Sequence, residues 1–233
     1  VASGAQSLSL PAWIQARRAN VISTLGTAVT IPFALTSPTT VTSSSNLVTL
    51  TGNAPLGAKT IKVNGEEYPV TWTSTTAWSI RVPLPVGTTT LSIQGYDRTT
   101  TNAFPGAQAT VTATFSGTVD DPADSIVFSE LMFDPVVPGA EYVEIHNRST
   151  TTAFDLSGWR INGLDYTFPI GSMILPRTYL VLVRDAHACI SAYGTNTPVF
   201  GQYNGNLQGN GETITLERPL VPGWDDEDDD FVT

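Results

Sequence analysis

Within residues 141–147, Glu-Tyr-Val-Glu-Ile-His-Asn, apolar Val143 and Ile145 alternate with Tyr142, Glu144 and His146. Successive residues of a strand face opposite sides, so Val143 and Ile145 share one face and Tyr142, Glu144 and His146 the other. A strand that alternates this cleanly is buried on one side and wet on the other. Just upstream, Ser125–Met132 is rich in β-formers, and Asp134, Pro135, Pro138 and Gly139 interrupt it with turn chemistry. The stretch IVFSELMFDPVVPGAEYVEIHNR therefore reads as two strands joined by a loop.

The same period-two pattern runs through most of the chain. In the first half it predicts strands at Val29–Leu35, Leu47–Thr51, Thr60–Val63, Tyr68–Trp72, Trp78–Val82, Thr89–Tyr96 and Ala109–Phe115. Asn64-Gly65 stands between two of them, and a two-residue Asn-Gly loop is the strongest short hairpin signal. In the second half Ala153–Leu156, Trp159–Asn162, Tyr166–Pro169, Ser172–Leu175 and Tyr179–Val183 follow, separated by Gly, Pro or Asp. Asp185–Tyr193 has the spacing of a short helix, and Glu212–Glu217 alternates again with Ile214 and Leu216 inward.

Ser7–Leu25 is the one long helical stretch: Ser9 is placed as N-cap, Pro11 fits the first turn and Gly26 is a stop. Its apolar residues Leu10, Trp13, Ile14, Val21 and Leu25 are expected to dock on a neighbouring or upstream unit.

Thr118–Ser125, TVDDPADS, is the best boundary in the chain. The predicted fold is all-β: two immunoglobulin-like antiparallel β-sandwiches in tandem behind a short N-terminal helix. The expected division is 1–30 helix and linker, 31–117 first sandwich, 118–124 linker and 125–233 second sandwich.

Composition narrows the function classes. The formal net charge is −10, and lysine occurs only at Lys59 and Lys62. Nucleic-acid binding, which needs clustered Lys and Arg, is disfavoured. The one cysteine, Cys189, cannot form an internal disulfide. No stretch approaches the roughly 18 apolar residues of a membrane span. The chain starts with Val and shows no secretion signal, and it is read as an excerpt of a longer protein.

Two stretches carry family resemblances. TLTGNAPLGAKTIKVNGEEYPVTWTSTTAWSIRVPLPVGTTTLSIQGYD, with its Asn-Gly hairpin ahead of a Trp strand and a closing Asp97, resembles a bacterial immunoglobulin-like module of large exported proteins. Such modules commonly act as spacers or adhesive units. In the second half, IVFSELMFDP, EYVEIHNRS, FDLSGWRI, FPIGSMILPRTYLVLV, AYG and LQGNGETITL resemble the lamin tail domain in their order and spacing. That family has an immunoglobulin-like fold and is found in nuclear lamins and bacterial exported proteins. The leader LPAWIQARRANVISTL is similar to the closing helix of a CotH-type kinase-like domain, which would place any phosphotransfer residues upstream. Together these resemblances imply an extracellular or cell-surface bacterial protein with an unidentified protein or glycan ligand.

The chemical candidates are few. Glu144 and His146 share a strand face and could pair as acid and base or hold a metal, but no third ligand follows at a matching spacing. Glu130 and Glu141 lie near strand ends with nothing to mark them as a catalytic pair. His187 and Cys189, two apart on a helix, point to different faces, so Cys189 reads as a small buried hydrophobe.

Asp225–Asp230 lacks the ligand spacing and turn glycine of a calcium loop and reads as solvated. Gly205–Gly211 neither follows a clear strand nor opens a helix, which argues against phosphate binding. Asn147-Arg148-Ser149 fits a glycosylation sequon. Trp72, Trp78, Tyr142 and Trp159 are the rings a sugar could stack on, with Trp72 and Trp78 expected in the core or on a sheet face.

No catalytic, cofactor-binding or metal-binding residue is assigned, and no cofactor is expected. The leading expectation is a non-catalytic binding, adhesion or display fragment. The alternatives are accessory domains of an enzyme whose catalytic domain lies upstream, kinase-like or hydrolytic, or a carbohydrate-binding module.

Overall fold

A computed structural model of the chain describes residues 9–98, 103–219 and 231–232. Helix α1 (Leu10–Leu25) and a 3₁₀ turn at Gly26–Val29 lead into the first sandwich. Its strands are β1 (Ala34–Leu35), β2 (Thr40–Ser43), β3 (Leu47–Asn53), β4 (Thr60–Val63), β5 (Glu66–Glu67), β6 (Thr71–Trp72), β7 (Ala77–Pro83), β8 (Gly87–Tyr96) and β9 (Ala103–Phe115). One sheet has the order β1-β3-β7-β6 and the other β2-β9-β8-β4-β5.

The two sheets close on one core. Leu50 and Ile80 from the first sheet meet Ile61, Ile93 and Val111 from the second, and Phe33 stacks on Trp78 at 5.5 Å. Each such buried aliphatic side chain contributes about 1.5–3 kcal/mol of transfer free energy.

A short helix α2 (Pro122–Ser125), capped by Asp121, begins the second unit. It is followed by β10 (Ile126–Met132), β11 (Tyr142–Asn147), β12 (Phe154–Asp155), β13 (Arg160–Asn162), β14 (Tyr166–Thr167), β15 (Met173–Ile174) and β16 (Tyr179–Val183). Helix α3 (Ala186–Tyr193), β17 (Val199–Gln202), β18 (Thr215–Pro219) and β19 (Phe231–Val232) complete it. The sheet β10-β11-β16-β17 faces β14-β13-β18-β19, with β12-β15 as a two-stranded side piece. Val143, Ile145 and Leu182 meet Ile161 and Phe168 in a second, separate core.

The all-β tandem arrangement is as the patterning predicts, and most strands fall where alternation puts them. The Asn64-Gly65 hairpin forms with both residues at positive φ, 53° and 94°, as a tight two-residue loop requires. Among the described residues, pairing is antiparallel except at two places. β2 runs parallel to β9, because the chain crosses from one sheet to the other around Pro38, which cannot donate to a ladder. β16 runs parallel to β17, and α3 supplies the crossover that parallel neighbours need.

Several expectations are corrected. α1 buries none of its residues, and Leu10, Trp13, Ile14, Val21 and Ile22 are exposed, so it does not dock on the sandwich that follows. The strand expected at Val29–Leu35 shrinks to Ala34–Leu35, since Pro32 interrupts the run. Pro69 likewise splits Tyr68–Trp72, leaving Thr71–Trp72. β2 (TVTS) holds one aliphatic residue and β17 (VFGQ) sets its two apolar residues side by side, so alternation marks neither.

Candidate functional site

The junction of the two sandwiches is built by short-range contacts between residues far apart in sequence. Asn46, in the turn between β2 and β3, is buried to 4% exposure. Its side-chain amide donates to the carbonyl of Ala153 at 2.7 Å and accepts from the Ala153 N–H at 2.9 Å. The amide thus pairs with the backbone of the second sandwich as a strand neighbour would. The linker is latched beside it: Ser149 Oγ donates to Asp120 at 2.6 Å and the Asp120 N–H donates to Thr152 Oγ1 at 3.1 Å.

A third contact brings Gly171 against the first sandwich. Its φ is +83°, and a Cβ there would collide with the Pro69 ring and lie 3.0 Å from the Glu67 carbonyl oxygen. Only glycine allows both the backbone conformation and the approach.

These contacts frame a groove of about 570 Å³ between the sandwiches. Lys59, Lys62, Glu66 and Glu67 of the β4–β5 hairpin region line it, with Trp72 on the first sandwich and Pro169 and Ile170 on the second. Both lysines of the chain are here. Lys62 Nζ sits 5.3 Å from the centre of the Tyr96 ring, a cation–π contact that fixes its stem. Tyr68, also in the wall, has its hydroxyl pushed up to about 12 by burial, then by Asp155 and Glu66, so it stays a hydrogen-bond donor. Trp72 is 39% exposed, whereas Trp78 across the strand pair is 1% exposed and locked in the core.

The other ring candidates are occupied elsewhere. Trp159 packs against the second core. Tyr142 donates from its hydroxyl to Glu130 at 2.6 Å and meets Tyr193 edge-on at 5.4 Å. Burial, then the bond to Glu130, pushes its phenol up.

The acid–base candidates are not assembled into a site. Glu144 accepts from Ser129 Oγ at 2.7 Å, and His146 stacks on Tyr179 with ring centres 4.1 Å apart. Among the described residues no three His, Cys, Asp or Glu groups come together as metal ligands. Glu141 pairs with Arg184 at 3.2 Å, and His187 is exposed while Cys189 is fully buried beneath α3. Asn147 of the sequon is fully buried, and its amide donates to the carbonyls of Thr152, Ile174 and Leu175, so it presents nothing to modify. The Gly205 N–H donates to the Leu164 carbonyl at 2.9 Å, and this glycine serves packing. The acidic run Asp225–Asp230 lies outside the described residues.

What sequence reasoning missed is the junction itself. Asn46 in a Ser-rich turn reads as turn chemistry, and the lysines look like ordinary strand residues. The one available signal was that Lys59 and Lys62 stand three residues apart in a chain with no other lysine.

Fold and junction together define a tandem immunoglobulin-like β-sandwich protein. Residues 120–225, which hold most of the second sandwich, match the model of the Lamin Tail Domain family. No curated protein matches the chain. Among solved structures, the "Bacteroides ovatus mixed-linkage glucan utilization locus (MLGUL) SGBP-B in complex with mixed-linkage heptasaccharide" is similar at 12% identity and a TM-score of 0.23. The match covers 67% of this chain and 48% of that one, so this chain spans about half its length. These matches lend no support to the CotH-type resemblance of α1. Among the described residues no helix is long and apolar enough to cross a membrane.

Proposed function

We propose that this chain is a non-catalytic binding, adhesion or display segment of a larger exported bacterial protein, acting outside the cell or at its surface. The proposed division is an immunoglobulin-like spacer at 31–117 joined by 118–124 to a lamin-tail sandwich at 125–233. Two separate cores support it. The observation that carries the binding role is the groove at the junction, because it draws its walls from both sandwiches and gathers both lysines beside an exposed tryptophan.

A binding array of immobilised glycans and purified extracellular proteins, probed with the whole chain and with Gly171→Ala, tests this proposal. Capture of a ligand that weakens in the variant supports it. Turnover of any arrayed compound by the chain alone, or binding indifferent to the groove, overturns it.

A further inference from the structure

We propose that the junction groove takes a neutral saccharide, with a pyranose ring laid on Trp72 and its hydroxyls held by the lysines and glutamates; this rests on the groove being the binding site. Lys59 and Lys62 line the groove together with Glu66 and Glu67, so its formal charges cancel inside a chain of net charge −10. An anionic ligand would meet two carboxylates, and a cationic one two ammonium groups. A polyol has hydroxyls that donate to carboxylates and accept from ammonium groups, so it satisfies both kinds of side chain without leaving either unpaired.

Shape points the same way. Among the described residues Trp72 lies on β6, the edge strand of its sheet, and it lines the groove. An exposed indole face beside polar groups suits the apolar C–H face of a sugar ring. Pro169 and Ile170 give a short apolar wall from the second sandwich. The volume of about 570 Å³ falls within the range of about 300–1,000 Å³ common for small-ligand sites. A folded protein partner would need a wider flat face; a protein segment binding here is therefore an outcome of the test, not the proposal.

The test is calorimetric titration of the whole chain with neutral hexasaccharides of β-1,4-glucose, β-1,3-glucose, β-1,4-mannose, β-1,4-xylose and α-1,4-glucose. Hexagalacturonate and hexaglucosamine serve as acidic and basic counterparts. At least one neutral oligomer is expected to bind, with an affinity that changes little between low and high salt, since no net charge is neutralised. Trp72→Ala is expected to lower it by roughly tenfold or more, and Trp72→Phe, which keeps a stacking plane, by less. Equal thermal melting of wild type and variants separates loss of binding from loss of fold.

Tighter, salt-sensitive binding of hexagalacturonate or hexaglucosamine, unchanged binding by Trp72→Ala, or no binding of any neutral oligomer would overturn the saccharide assignment. A protein ligand from the array that Trp72→Ala releases would leave the groove as the site while removing the saccharide. A ligand unaffected by every groove variant removes both.

Discussion

The side-chain amide of Asn46 and the backbone of Ala153, 107 residues apart, hold each other through two hydrogen bonds of 2.7 and 2.9 Å in a buried setting. A side chain here completes what a neighbouring strand would otherwise supply. Both partners are removed from water, so neither can exchange the bond for a solvent molecule.

Asn46→Ala therefore leaves the Ala153 N–H and C=O without partners. A buried polar group left unpaired costs about 1–3 kcal/mol, and the expected loss is about 2 kcal/mol or more. Urea unfolding followed by fluorescence measures it. Loosening the junction is also expected to uncouple the two cores, so one transition in the wild type becomes two in the variant. A variant whose curve overlays the wild type would show that the clamp carries no stability.

Gly171→Ala tests the close approach of the second sandwich to Pro69. A left-handed backbone costs a non-glycine residue roughly 1–2 kcal/mol, and the new methyl also meets the Pro69 ring. The variant is expected to melt lower and to bind any groove ligand more weakly, because Pro69 carries the groove wall. Gly209, where an added methyl would have nothing within 4 Å, is the control: Gly209→Ala should melt as wild type. Equal losses at both positions would mean that the effect is generic to glycine replacement.

Much of this fold was legible because strands announce themselves locally. Val143 and Ile145 alternate with Glu144 and His146, and their burial follows from a pleat and a single core. Cys189 was legible in the same way, by its spacing from His187 on one helix. The groove was not. Lys62 and Ile170 become neighbours only through docking of two sandwiches, and docking depends on Asn46 and Gly171, whose roles exist only once the partner surface is in place. The exposure of α1 was hidden for a related reason: an apolar stripe states a need for cover, not what provides it.

Acid should destabilise the second sandwich through Glu217, a buried residue on β18. Burial pushes its carboxyl up, but bonds from Arg160 at 2.6 Å, Thr215 and Asn162 outweigh that and hold it below the usual range. A carboxyl lowered on folding stabilises fully above its unfolded value near 4.5, and that contribution is lost as pH falls through the lower folded value. Glu217→Gln should thus be less stable than wild type at neutral pH and show a flatter decline between about pH 5 and 2. Unfolding free energies across that range decide it, and parallel pH profiles would refute the assignment.

Cys189 is fully buried where α3 covers Val181 and Val183. Burial pushes its thiol up, so the reactive thiolate is doubly withheld, by charge and by access. A disulfide reagent at neutral pH should leave the native chain unlabelled and label it fully in denaturant. Access depends on α3 staying closed, and α3 starts at Asp185, whose carboxylate accepts from the Ala188 N–H at 2.9 Å. That bond holds the Asp185 carboxyl below its usual range. Removing the cap with Asp185→Ala frays the first turn, only one turn from the thiol, and labelling should speed up while global melting changes little. If the variant labels no faster than wild type, Cys189 is exposed only by global unfolding and α3 does not open on its own.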